Sequence, residues 1–291
     1  MKKTVLSNII MIFSAIVLML FCISLLVPFF WMLLTSFKDP IDYVLNVFGL
    51  PEQFMYENYL SVFKLLKITT IVDGGLVEYN IFNMLFYSFV IAIVSGFMGV
   101  FLPTITAYIV SKYNFRLKNL IFNTAIIVMI IPIVGNLPSQ LRVTQALGIY
   151  NNLLPYLIFS AGPFGFNFIL MYGAFKSLSW TYAEAAFIDG ASHFTVILKI
   201  MFPMIMPTFS TLFILGFIGH WNDYMIPITF LPSYPNLAYG MYNFQLEAAR
   251  IGAAMPEILA GFVIVSVPTC IMYFTLQKFG LKNVRMGGLK G

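Results

Sequence analysis

Glu184 to Pro207 read EAAFIDGASHFTVILKIMFPMIMP, a short polar stretch set between two long apolar segments. Thr181 can act as an N-cap with Glu184 three residues on, a reciprocal capping arrangement that starts a helix of roughly two turns. Gly190 supplies the turn that follows, because glycine enters left-handed backbone conformations without steric cost. Ser192 can cap a second helical run, FTVILKI, which leads through Pro203 and Pro207 into the next apolar segment. The pattern predicts two short helices outside a bilayer core. A plain interfacial connector would read this way, and so would a docking surface for a soluble partner.

The flanks decide the fold class. Of the 291 residues, 60% are hydrophobic and 9% charged, against about 25% charged in soluble domains, and the mean hydropathy is +0.90. A membrane helix needs roughly 20 apolar residues. Stretches of that kind fall at about 9–36, 82–109, 119–136, 153–175, 203–230 and 257–279. The expectation is an all-α integral membrane fold: one domain over 1–291, six transmembrane helices, and a polar helix-turn-helix between the fourth and fifth. With the N-terminus inside, eleven of the sixteen Lys and Arg fall on the cytoplasmic side, including Lys112, Arg116, Lys118, Lys176 and Lys199. That bias puts both termini and the polar loop in the cytoplasm. The external segment 38–80 sets three Lys against six acidic residues. The net charge of +5 therefore reflects a membrane rim, and no basic cluster with interleaved aromatics points to nucleic acid. Two lysines before an apolar run imitate a secretory signal, but the run is too long and lacks a small-x-small site, so it is expected to stay as an anchor. Prolines in or at the edges of the spans predict kinked, discontinuous helices, and Gly96 and Gly99 beside Ser95 allow close helix approach.

Several chemistries are missing from the sequence. There is no Gly-x-x-x-x-Gly-Lys-Ser/Thr loop to cradle nucleotide phosphates. His193 and His220 lie on different segments without the helical partner or cysteine neighbours of a metal site, and read as ordinary hydrogen-bonding residues. Cys22 and Cys270 have no redox or metal spacing and read as small buried apolar residues. No nucleophile–base set or carboxylate pair can be assembled, so the chain reads as non-catalytic and without a cofactor. Intramembrane ionisable groups mark pathways; Asp223 is the best candidate here. It lies twenty residues past Pro203, about 30 Å along a helix. Trp221, Asn222 and Asp223 read either as an interfacial cluster or as a lining that suits hydroxylated solutes through stacking and hydrogen bonds.

Glu184-Ala185-Ala186, Asp189-Gly190-Ala191, Ile200 and Pro203 resemble the EAA signature of ABC-importer permeases. The likeness to MalG-type permeases of carbohydrate-uptake importers runs through the chain: PFFWMLLTSFK at Pro28–Lys38, ENY at Glu57–Tyr59, Ala107-Tyr108 with the basic turn to Lys118, Leu147-Gly148 with Asn151, Trp221-Asn222-Asp223, Asn236–Gln245, and the basic tail Gln277–Gly291. Two places depart from the pattern: Ile68–Asn80 is longer than usual, and Asn283 and Arg285 stand where small or hydroxyl residues are common. The resemblance implies a subunit of the bacterial cytoplasmic membrane that moves a sugar or oligosaccharide. Its partners would be a second homologous permease, two ATP-binding subunits that hydrolyse the ATP, and an extracytoplasmic solute-binding protein. Glu184, Ala185, Ala186, Asp189, Gly190, Ala191, Lys199 and Pro203 would couple to the ATPase, with Trp221, Asn222 and Asp223 along the solute path. A permease for phosphoglycerol, peptide or another non-sugar solute shares the EAA signal. The absence of Lys or Arg well inside the spans favours a neutral solute. An ion-coupled secondary carrier, the rival from another class, calls for inverted repeats and intramembrane carboxylates, which the sequence does not display.

Overall fold

The structure is a computed structural model that describes residues 5–72, 74–131 and 135–284. In chain order it contains α1 (Val5–Thr35), α2 (Pro40–Leu45), α3 (Glu57–Leu65), β1 (Ile68–Val72), β2 (Gly75–Tyr79), α4 (Ile81–Lys112), α5 (Lys118–Ile130), α6 (Leu137–Ala146), α7 (Leu153–Phe159), α8 (Phe166–Ser177), α9 (Thr181–Ile188), α10 (His193–Val196), a π-helical turn (Ile197–Met201), α11 (Phe202–Asn222), α12 (Met225–Phe230), α13 (Leu237–Ile251) and α14 (Met255–Val284). Two compact units form, one from residues up to 67 with 243–266, the other from 68–242 with 267 onward.

In the first unit, α1 is apolar all round and exposes side chains such as Phe13, Met19 and Phe30, as expected of a helix surrounded by lipid. Its exit is held by hydrogen bonds. Asn58 Nδ2 donates to the carbonyls of Ser36 and Lys38, each at 2.9 Å, and the Tyr59 hydroxyl meets Ser36 Oγ at 2.7 Å. The fully buried Lys38 donates from Nζ to the Asn46 carbonyl. The ENY stretch therefore clamps the turn that follows the first long helix and satisfies two carbonyls just past its end.

In the second unit, α4 packs mainly against α11 and α8. The α4–α11 crossing is made by glycine. A Cβ on Gly96 would sit 3.1 Å from the Phe217 nitrogen, and one on Gly216 would sit 3.4 Å from the Gly96 Cα. The core around the crossing includes Val100, Ala107, Phe168, Met171, Phe175, Met201 and Ile205.

Among the described residues, four helical stretches are long and apolar enough to cross a membrane: Ser7–Thr35, Ile81–Lys112, His193–Asn222 and Met255–Thr275. The structure corrects several expectations. Residues 153–175 are not one helix but α7 and α8, because Pro163 cannot donate to a helical ladder and Gly165 has φ +113°. The helix expected over 119–136 stops at Ile130, and residues 132–134 lie outside the described residues. The stretch 203–230 breaks at Asp223, whose backbone is extended, and does not merely kink at Pro227. Cys22 and Cys270 are exposed, not buried. The all-α expectation fails at Ile68–Tyr79, an antiparallel hairpin pairing Ile68 with Tyr79 and Val72 with Gly75. β-branched residues flank a glycine pair there, and Gly74 takes φ +82°, a hairpin signal present in the sequence.

Gly96→Val is expected to force α4 away from α11 and to destabilise the protein by about 1–3 kcal/mol. Gly99→Ala, where a Cβ meets nothing within 4 Å, should leave stability unchanged or slightly raised. Thermal unfolding in detergent compares the two; equal melting would remove the close crossing as a constraint.

Candidate functional site

The two ends of the α4–α11 pair carry different chemistry. At one end lies the EAA-like loop. Gly190 has φ +83° and closes α9, with the Ala191 nitrogen donating to the Ala186 carbonyl at 2.9 Å. Ser192 caps α10, its Oγ accepting from the Thr195 nitrogen at 3.2 Å. The cap on α9 differs from the sequence reading. Thr181 is already the first helical residue, the cap position is Trp180, and no side chain caps it, so the Thr181–Glu184 capping box does not form. Ser179 Oγ instead accepts from the Thr181 nitrogen at 3.3 Å. Trp180 itself adopts a helical conformation while its ring packs against Tyr113 and Phe187.

The loop has an inner and an outer face. Ala183 is fully buried, and Ala186, Phe187 and Ala191 pack against the same core. Glu184, Ala185 and Asp189 are exposed, as are Lys199 and Pro203 further on. Ile188 is 87% exposed and Phe194 72%. Two large apolar side chains left open on a polar connector are the feature that the sequence reading missed; the signal was their place on the helical face opposite Ala183 and Val196. From Ser192 onward the chain is helical through α10, the π-helical turn and α11 without a break. The wider turn, in which the Phe202 nitrogen donates to the Ile197 carbonyl, falls just before Pro203, whose ring nitrogen has no hydrogen to offer.

At the other end is an open cavity of about 810 Å³, within the roughly 300–1,000 Å³ of small-molecule sites. Ser95 and Gly99 of α4, Ser139, Gln140 and Thr144 of α6, Tyr156 and Phe159 of α7, His220 and Asp223 at the end of α11, and Phe230 of α12 are on its wall. Among the described residues, no Lys or Arg lines it. Asp223 occupies the break in the chain. Its Oδ1 accepts from the nitrogens of Met225 and Ile226 at 2.8 and 3.1 Å, capping α12, while its carbonyl accepts from Asn236 Nδ2 at 2.8 Å. Asn151, with φ +54°, exchanges two hydrogen bonds with Ser233 and donates from its backbone to the Phe230 carbonyl at 2.8 Å.

The three residues read as a path separate in the structure. Asp223 lines the cavity. Trp221 does not: it is fully buried, stacked on Phe217 and edge-on to Phe89, so it packs the helix and offers no stacking face to a solute. Asn222 is exposed and donates to the Ile218 carbonyl of its own helix. His220, read as an ordinary residue, shares the cavity wall with Asp223. Their spacing of three puts them on one helical face, and that was legible.

The family model described as binding-protein-dependent transport system inner membrane component matches residues 99–285. The chain is 26% identical over 284 residues to the diacetylchitobiose uptake system permease protein NgcG of Streptomyces coelicolor, covering 94% of this chain and 87% of that one. It is 26% identical over 298 residues to the probable starch degradation products transport system permease protein AmyC of Thermoanaerobacterium thermosulfurigenes, covering both chains fully. The fold is similar to that in the crystal structure of a bacterial ABC transporter involved in the import of the acidic polysaccharide alginate, with a TM-score of 0.72 and 23% identity over 95% of this chain and 98% of that one. The family match covers well over half of the sequence and takes in both the loop and the cavity end of α11, and the chain belongs to the inner membrane components of binding-protein-dependent transport systems.

Proposed function

We propose that this chain is the permease subunit of an ABC importer that moves a sugar or oligosaccharide across the bacterial cytoplasmic membrane. Near-full-length similarity to permeases named for diacetylchitobiose and for starch products supports the solute class. The observation that carries the reading is the cavity wall, where hydroxyl and amide groups and aromatic rings stand without any Lys or Arg. Such a wall can exchange hydrogen bonds with hydroxyls in both directions, and Asp223 on it disfavours an anionic solute.

In this reading six spans cross the bilayer: α1, α4, α5 with the residues after it, the α7–α8 pair, α11 with α12, and α14. Both termini and the α9–α10 loop face the cytoplasm. The chain does not hydrolyse ATP. It pairs with a second, homologous permease, two ATP-binding subunits and an extracytoplasmic solute-binding protein. Ile188 and Phe194 seat in a cleft of the ATP-binding subunit, with Glu184, Ala185 and Asp189 around them, while Ala183 and Ala186 keep α9 flat against its own core. Closure of the ATP-binding pair pushes α9 and α10, and the unbroken helix from Ser192 to Asn222 carries the push to the cavity end. A rigid element moving between two packed arrangements needs no catalytic group. Retention of an ATP-binding subunit on the tagged, purified chain tests the reading. Its absence, together with uptake driven by a proton or sodium gradient, would favour a secondary carrier.

Gly190→Val places a β-branched residue at positive φ, a strain of about 1–3 kcal/mol, although the space around it is free. Receptor-stimulated ATP hydrolysis should be lost while the protein still inserts, and Gly190→Asn should retain most of it. Normal coupling in Gly190→Val would remove the lever argument.

Asp223→Asn keeps an oxygen to cap α12 but removes the carboxylate from the cavity; Asp223→Leu removes both and should cost about 1 kcal/mol of stability. With Asp223 on the path, uptake falls in both variants while receptor-stimulated ATP hydrolysis continues. Normal uptake by an assembled Asp223→Leu importer would take the residue off the path.

A further inference from the structure

The end of α4 grips the loop at two points of unequal permanence. Lys112 Nζ donates to the Leu178 carbonyl at 2.6 Å, in partly buried surroundings, where the chain leaves α8. This bond is charge-assisted and hence of the stronger kind. One residue further on, the Tyr113 hydroxyl lies 2.9 Å from Nδ1 of His193, eighty residues away. His193 is the first residue of α10 and therefore the head of the continuous helix that becomes α11. That second bond is exposed to solvent, so water can replace both partners at small net cost when the elements part.

The rings around it form a pad that leaves the bond free to open. Tyr113 packs edge-on against Trp180 and Tyr108, and Phe187 lies 4.7 Å from the His193 ring centroid. The Tyr108 and Tyr113 hydroxyls also lie 3.4 Å apart, a contact within the α4 end that does not reach the loop, whereas the ring contacts to Trp180 and Phe187 are apolar, so sliding of α9–α10 over the end of α4 preserves most of them. The Tyr113–His193 bond does not tolerate such sliding, because it holds only over a narrow range of distance and angle.

We propose that Lys112 is a pivot and that Tyr113 with His193 is a latch, which together set the resting pitch of the α9–α10 lever and restrain its movement until receptor engagement. The inference rests on the reading of the loop as the ATPase coupling element. Tyr113 and His193 are positioning residues: they touch neither nucleotide nor solute, and act by holding α11 against α4. The latch keeps the assembled importer from hydrolysing ATP without cargo.

The test uses the whole importer, both permeases with the ATP-binding subunits, reconstituted in liposomes and given Mg-ATP alone without receptor. Tyr113→Phe removes one oxygen and keeps the ring packing; His193→Phe keeps an aromatic ring. Each should raise receptor-independent ATP hydrolysis by roughly three- to tenfold, the equilibrium worth of one such bond. The double variant should rise no further, since both changes break the same bond. His193→Asn, whose side-chain oxygen can accept from Tyr113, should return the rate toward that of the unaltered importer. If the ATP-binding subunits are retained and the single variants hydrolyse at the unaltered rate, the latch is overturned and the coupling reading stands. Loss of assembly in Tyr113→Phe would also overturn it, by making the bond a requirement for folding. If the unaltered chain retains no ATP-binding subunit, the coupling reading itself falls and the latch with it.

Discussion

The contact on which the second unit depends is the backbone-to-backbone approach of α4 and α11 at Gly96 and Gly216. Helices in a bilayer gain little by hiding apolar surface from lipid, so close packing and hydrogen bonds must hold them together. Two glycines at the crossing let the remaining side chains interdigitate at full density. The same two helices extend in both directions from that point. At one end α4 offers Lys112 and Tyr113 to the loop, and α11 begins as the continuation of α10. Ser95 and Gly99, on either side of Gly96 in the middle of α4, border the cavity together with His220 and Asp223 at the far end of α11.

The cavity lies where α11 stops. A chain that leaves helical conformation frees carbonyls and amides that an apolar surrounding cannot satisfy, and several of them find partners here. The carboxylate of Asp223 takes the first amides of α12, Asn236 takes the Asp223 carbonyl, and Asn151 takes the end of α12 and Ser233. Asn236 is fully buried, and its own Oδ1 accepts from the Tyr239 nitrogen. Asp223 is therefore a structural cap and a cavity carboxylate at once, and this dual role is why the Asn variant separates the two effects where the Leu variant merges them.

Hydropathy made the long helices legible. α1, α4, α11 and α14 lie where apolar runs of span length occur, and Ser192 and Gly190 behave as their residue types demand. Three things were less visible. The hairpin at Ile68–Tyr79 had its signal, a β-branched run ahead of a glycine pair, but a scan tuned to spans of 20 residues passes over strands of five. The break between α7 and α8 hides inside an apolar stretch, because hydropathy does not register Pro163 or the backbone sign of Gly165. Trp221 illustrates a different limit: adjacency to Asp223 suggested a shared surface, yet successive helical residues point about 100° apart. His220, three residues before Asp223, was the better partner on geometry alone.

In the proposed reading of the loop as a lever, little sequence is needed to build it. Alanines at 183 and 186 allow α9 to lie close to its core, a single left-handed glycine turns the chain, and a serine restarts it as a helix that does not end until Asn222. Two features interrupt its regular ladder, the π-helical turn before Pro203 and the interior Pro207. A free proline in the middle of a helix removes a hydrogen bond and crowds the preceding turn, at a cost of about 3 kcal/mol. Widening the turn by one residue relieves the crowding without breaking the axis, so the connection from loop to span stays stiff. Stiffness there leaves the restraint on motion to contacts made from outside the helix, and among the described residues the hydrogen bonds that reach from the end of α4 to the loop are those of Lys112 and Tyr113.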